Sequence, residues 1–160
     1  MLRKTLVLLL VLLNFACDQI SKDIVRERVA PDDYIEIIED NFILTHVENT
    51  GAMMGLGQNL PPTAKIFLLQ LLPLTVLVWL LVRILRKKAL DQWSALAFAC
   101  VIGGGIGNLL DRIAYGKVTD FLHIRIGVFK TGIFNMADVS VTLGVLLILF
   151  FSLRNKKIHA

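Results

Sequence analysis

Asp120, in the stretch VTDF, and Asp138, in the stretch FNMAD, place two carboxylates in a chain that is 56% apolar and only 19% charged. An aspartate near the centre of a membrane helix costs roughly 2.5 to 3.5 kcal/mol, so a carboxylate in a bilayer or at its rim marks a functional site by default. Two carboxylates sharing one site cannot both ionise cheaply. They hold one proton between them and offer an acid and a base at once, which is what activating a water against an amide carbonyl requires. Which of the two would be the acid is open, because coupled titrations belong to the pair.

Positioning such a pair falls to membrane helices. Each bilayer crossing needs about 20 apolar residues, and four runs qualify, at residues 5–24, 66–85, 93–112 and 137–153. Outer loops at 25–65 and 113–136 join them, and the whole of 1–160 reads as a single membrane-embedded domain. The formal charge is +4, but the basic residues flank spans instead of forming a nucleic-acid face. Arg3 and Lys4 precede the first span, Arg83, Arg86, Lys87 and Lys88 follow the second, and Arg154, Lys156 and Lys157 follow the fourth. These nine of the seventeen basic residues crowd three short flanks on one side. The positive-inside rule makes that side, with both termini, cytoplasmic.

The amino terminus MLRKTLVLLLVLLNFAC imitates a cleavable secretory or lipoprotein signal. Asn14 and Phe15 fit poorly before a processed cysteine, and three further spans favour a retained first helix. Cys17 and Cys100 both fall in apolar spans, where thiols behave as small buried hydrophobes.

On the outer side, YIEIIEDNFILTHVE alternates apolar and polar residues around Asp40 and Asn41, a hairpin pattern. VTDFLHIRI and VFKTGIFN add further strands, so a small sheet is expected to rest on the helix ends. Between hairpin and second span, GAMMGLGQNLPPTAK reads as a loop with one short turn. Its Met53, Met54 and Leu56 either anchor the loop or cover a substrate.

Antiparallel spans bring Asp18, Asn108, Asp111, Arg112, Asn135 and Asp138 to one outer level. Each has a purely structural explanation. Asn135 or Asp138 caps the fourth span, Asp111 and Arg112 form an interfacial pair, and Asp18 with Lys22 makes an i, i+4 pair. Their convergence is the harder thing to explain that way. Gly103 and Gly107 of GGGIG have the small-xxx-small spacing that lets membrane helices approach.

The stretches DQISK (18–22), NTGA (49–52), GGGIGNLLDR (103–112), VTDF (118–121) and FNMAD (134–138) together resemble the motifs of the lipoprotein signal peptidases, signal peptidase II. These are aspartic proteases of the bacterial inner membrane. The resemblance implies four transmembrane helices with a small extracytoplasmic antiparallel β-sheet, the cradle, and a covering loop. It implies an endopeptidase that cleaves prolipoproteins just before an S-diacylglyceryl-cysteine, with Asp120 and Asp138 as the catalytic dyad. Asp18, Asn49, Gly51, Asn108, Arg112 and Asn135 would support the dyad or bind substrate. Prolipoproteins and membrane lipids are the implied partners, with no cofactor, no metal and no nucleic acid, the enzyme acting as a monomer. Met53 and Met54 depart from the family's aromatic residue at that place.

Three rivals remain. His123 and His46 raise a metal hydrolase, although HExxH is missing. Buried carboxylates also suit a small transporter, against which no inverted repeat is visible. A structural lipoprotein would carry its lipid on Cys17.

Overall fold

The computed structural model describes residues 2–39, 41–87 and 91–158. Asp40 of the expected turn and Lys88 of the basic flanks lie outside the described residues, as do the side chains of Arg3, Lys156 and Lys157. Among the described residues four helices are long and apolar enough to cross a membrane. They are α1 (Leu2–Arg28), α2 (Pro62–Arg86), α3 (Gln92–Tyr115) and α4 (Met136–Ile158). Strands β1 (Tyr34–Ile38), β2 (Phe42–Asn49), β3 (Val118–Ile126) and β4 (Phe129–Lys130) form one antiparallel sheet in the order β1-β2-β3-β4. Helices and sheet agree with the expected architecture.

Local chemistry explains the helix ends. Asp91 caps α3 by accepting from the Ser94 N–H at 2.9 Å, and Gly116, left-handed at φ 72°, closes it by donating to the Arg112 carbonyl. Pro61 is extended and Pro62 starts α2, where a missing N–H costs nothing. Pro73 lies further along α2 and has no N–H to offer the preceding turn, which it crowds. A wider π-helical turn at Ile66–Leu71 absorbs the conflict. That turn aims Gln70 at the Arg112 carbonyl, 3.1 Å away.

Helix boundaries reach beyond expectation, α1 starting at Leu2 and α4 ending at Ile158. α1 runs on to Arg28 and α3 to Tyr115, because the charged residues that end their apolar runs are buried and paired, not solvated. α2 begins at Pro62.

α3 is the axis of the bundle. Half of its most apolar window is buried, against 11 to 17% for the other three. Small residues permit this. Gly103 lies against Asn14 and the Val11 carbonyl, and Gly107 against Asp18, as the glycine spacing suggested. Gly104 and Gly144 do the same for α4. A Cβ on Gly104 would stand 2.5 Å from the Ala137 carbonyl oxygen, and one on Gly144 2.5 Å from that of Ala97. Gly104→Ala is therefore expected to pry the start of α4 from α3 and lower stability by about 1–3 kcal/mol. Thermal unfolding in detergent measures it, and a midpoint equal to that of the parent would contradict this packing.

Val7, Val11, Ile84, Ala95, Ala99 and Ile102 knit α1, α2 and α3 together far from the sheet. Val25 of α1 and Val29 just past its end meet Phe121 of β3 and seat the sheet on the bundle. Two expectations about burial fail. Cys100 is buried, but Cys17 is exposed on the outside of α1, where an apolar face needs no protein partner in lipid. β1 is exposed along its whole length, so its alternation hides no apolar face, because only β2 pairs with it. In β2, a bulge between Leu44 and Val47 breaks the alternation opposite β3 and leaves Val47 paired with Asp120.

Candidate active site

The sheet end of the bundle gathers the polar residues that the apolar spans left unexplained. Asp120 sits in β3, 4% exposed. Its Oδ2 accepts from Asn49 Nδ2 at 3.0 Å and its Oδ1 from Asn135 Nδ2 at 2.7 Å. Burial pushes its carboxyl up from the ordinary range to about 6. The charge of Asp138 adds to this, while the two amide donors and the more distant Lys22 oppose it.

Asp138 belongs to the first turn of α4. Asn135 and Asp138 form a reciprocal cap: the Asn135 N–H donates to Asp138 Oδ2 at 3.2 Å, and the Asp138 N–H donates to Asn135 Oδ1 at 3.0 Å. The capping reading is thus correct, and it coexists with the convergence. Asn108 Nδ2 donates to Asp138 Oδ1 at 2.8 Å. The wholly buried Asn135 touches both aspartates, joining β3 to α4 through one amide.

Arg112 and Asp111 do not pair with each other, which corrects the interfacial reading. Successive residues on a helix point about 100° apart. Asp111 turns inward to Lys22 and Arg26, at 2.8 and 3.0 Å. Arg112 turns to the cavity and donates to the Gly51 carbonyl at 2.8 Å and the Asn108 carbonyl at 3.2 Å. Among the described residues it makes no ion pair with either aspartate of the expected dyad.

Asp18 stands behind the site, not in it. Its Oδ1 accepts from the Ala137 N–H at 2.8 Å, so a side chain of α1 caps α4, and its Oδ2 pairs with Lys22 at 2.8 Å. Asn49 braces the loop after β2, accepting from the Gly51 N–H at 2.9 Å and donating to the Ala52 carbonyl at 3.0 Å. Gly51 has no room for a side chain, since a Cβ would lie 2.7 Å from the Gly55 backbone.

A cavity of about 500 Å³ opens in front of both carboxylates. Asn108 and Arg112 line it, and apolar Val139, Leu143 and Leu146 carry it down α4. Met53 and Met54 line its other wall, 81 and 75% exposed, so they do not anchor the loop in the core. Met54 adopts a left-handed φ of 57° and reaches the place a Gly132 side chain would occupy, spanning from one loop to the other.

The histidines lie elsewhere. His46 bonds the Val29 carbonyl at 2.8 Å and Glu48 at 3.0 Å, and His123 accepts from Arg125 at 3.2 Å. Among the described residues no group of three or more His, Cys, Asp or Glu could hold a metal ion. The sequence reading missed Lys22 as more than a helix-face pair, and it missed Gln70, Gln19, which donates to Asp18 Oδ2 at 3.0 Å and Asp111 Oδ1 at 3.2 Å, and Thr119, which accepts from Arg26 Nε at 2.8 Å. The i, i+4 spacing of Asp18 and Lys22 was the available signal. The second carboxylate on Lys22, Asp111, comes from α3, which no local spacing could reveal.

With this geometry in hand, similarity to known proteins is informative. A family model described as signal peptidase (SPase) II matches residues 10–154. The lipoprotein signal peptidase of Halothermothrix orenii is 33% identical over 153 residues, covering 96% of this chain and 99% of that protein. That of Moorella thermoacetica is 36% identical over 143 residues, 88% of each. A bacterial membrane enzyme solved by the in meso method at 2.3 Å resolution superposes with a TM-score of 0.84 at 26% identity, over 95% of this chain and 90% of that one. A match that runs nearly end to end, on a bundle of four membrane-spanning helices, means that the chain belongs to the signal peptidase II family and is a multi-pass bacterial membrane peptidase.

Proposed function

We propose that this chain is an aspartic endopeptidase that removes the signal peptide from prolipoproteins, cutting just before the S-diacylglyceryl-cysteine, with Asp120 and Asp138 as its dyad. The observation that carries the reading is Asn135, whose one amide donates to Asp120 and is clasped by Asp138 at the mouth of a single cavity. The ionised aspartate takes a proton from water, and the hydroxyl adds to the scissile carbonyl carbon. The protonated aspartate gives its proton to the carbonyl oxygen, and a tetrahedral intermediate forms with no covalent bond to the enzyme. When the C–N bond breaks, the leaving cysteine nitrogen takes a proton from the dyad. The intermediate's hydroxyl returns one, which regenerates the single shared proton.

The supporting residues have separate tasks. Asn49 and Asn108 hold the two carboxylates. Arg112 keeps a buried Nε–H with no partner among the described residues, a donor suited to a substrate carbonyl. The apolar wall along α4 suits acyl chains already lying in the bilayer. Basic residues at the end of the bundle away from the sheet orient that end to the cytoplasm, with both termini, and the dyad to the outer face. The chain acts as one membrane-embedded domain, as a monomer in the lipid bilayer of the inner membrane, with no cofactor and no nucleic acid.

The test is incubation of purified protein with diacylglyceryl-modified and unmodified prolipoprotein in a strong chelator. Modified substrate should be cut and unmodified substrate spared. Loss of cleavage on chelation, restored by one metal, would overturn the aspartic reading.

The pH profile gives a further expectation. Asp120 is protonated below about pH 6, so kcat/KM should fall as pH rises through that value and the shared proton leaves. Bound substrate excludes water and deepens burial, so the limb of kcat should lie at higher pH than that of kcat/KM. Initial rates across pH check both, and a kcat/KM flat from about pH 5 to 9 would contradict the proton-sharing pair.

A further inference from the structure

We propose that Lys22 is a positioning residue for the reaction, setting the polarity of a chain of amides that turns N–H donors toward both aspartates. This rests on the dyad reading above. Lys22 is wholly buried, and its ammonium donates to Asn108 Oδ1 at 2.8 Å and forms ion pairs with Asp18 Oδ2 and Asp111 Oδ2, each at 2.8 Å. Those three oxygens surround the ammonium. The surroundings balance its charge: Asp18 and Asp111 are acids, and Arg26 pairs with Asp111 at 3.0 Å and with Asp23 at 3.0 Å. Asp120 and Asp138 lie beyond Asn108.

An ammonium has donors and no acceptor, so it can face only the oxygen of the Asn108 amide. That turns Nδ2 of Asn108 toward Asp138, to which it donates at 2.8 Å. The same oxygen accepts from Asn135 Nδ2 at 3.1 Å. Asn135 must therefore present its nitrogen on that side, where it also donates to Asp120 at 2.7 Å, and its oxygen to the Asp138 N–H. Without Lys22, a flipped Asn108 would set its oxygen against the Asp138 carboxylate and its nitrogen against Asn135 Nδ2, whose sense the Asp138 N–H also holds. Stability alone is a weak reason for a buried ion cluster, since apolar replacements are often neutral or stabilising.

The test compares the charge-balanced variant Lys22→Met/Asp111→Asn with Asp111→Asn alone in full-length protein, folding being checked by circular dichroism and thermal unfolding. Relative to Asp111→Asn, kcat should fall about 100-fold, the scale of a misplaced reacting group. KM should hold, because Lys22 is walled off from the cavity. The acid limb of kcat/KM should move to higher pH, because the carboxylates lose donors that favour their ionised form. A merely structural role would lower the folded fraction and leave kcat per folded molecule in place. The wild-type protein supplies a second measurement that needs no substitution. With 15N-lysine labelling, the Nζ resonance of Lys22 should shift as the dyad titrates. Equal kcat and equal acid limbs in the two variants, or a Lys22 resonance indifferent to the dyad's titration, would overturn the proposal. If Asp120→Asn and Asp138→Asn still cleave, the dyad reading itself fails. If they are inactive while loss of Lys22 leaves kcat and limb unchanged, only the positioning role fails.

Discussion

Asp120→Asn and Asp138→Asn should each slow cleavage by roughly 10³- to 10⁴-fold while the bundle stays folded. An amide in place of either carboxylate has the right shape but holds no exchangeable carboxyl proton. The pair then cannot take a proton from water and give one to the carbonyl in the same step. Because the two act as one unit, the double variant should be little worse than either single one. Single-turnover rates on a lipidated substrate measure this.

Stability separates loss of chemistry from loss of fold. The raised carboxyl of Asp120, about 6 against an ordinary 3.8, means that the folded state binds its proton more tightly than the unfolded state. Its stabilising contribution is complete below about pH 4 and is lost as pH rises through about 6, a difference on the order of 3 kcal/mol. Asn does not ionise. Asp120→Asn should therefore unfold at the same or a higher temperature than wild type near pH 7, and that margin should vanish near pH 4. A lower midpoint at neutral pH would show that the carboxylate holds the fold together.

Asp18→Ala is expected to have the largest effect on the fold. It removes the acceptor of the Ala137 N–H at the start of α4 and one of the two carboxylates on a Lys22 with no exposure at all. Leaving a buried charge short of its partner costs about 3–5 kcal/mol. The damage falls on the turn that carries Asn135 and Asp138, so activity should fall together with stability. Asp18→Asn keeps an acceptor for Ala137 and should lose less on both counts. Thermal unfolding and single-turnover cleavage of the two variants decide it, and an Asp18→Ala protein as stable as its parent would contradict this role.

Much of this arrangement is legible in one dimension. Long apolar runs, alternation in the hairpin and the glycine spacing each reflect a local rule, and the helices, sheet and close approach follow from them. Asp120 and Asp138 stand out because a charge at a lipid rim is costly. What local rules miss depends on neighbours distant in the chain. Lys22 and Arg26 look like the end of a span, yet α1 continues because Asp111 of α3 pairs with both. Asp111 and Arg112 look like partners until helical geometry sends one to the interior and the other to the Gly51 carbonyl. The bulge in β2 that leaves Val47 opposite Asp120 has no sequence signature, since it answers to pairing with β3.

The most direct measurement is intact-mass analysis of a diacylglyceryl-modified prolipoprotein incubated with the purified protein, with Asp120→Asn and Asp138→Asn in parallel, all in chelator. The dyad account predicts one product pair from the wild type, cut at the bond before the lipidated cysteine, and uncut substrate from either variant. Cleavage at another bond, or product from either variant at the wild-type rate, would contradict it.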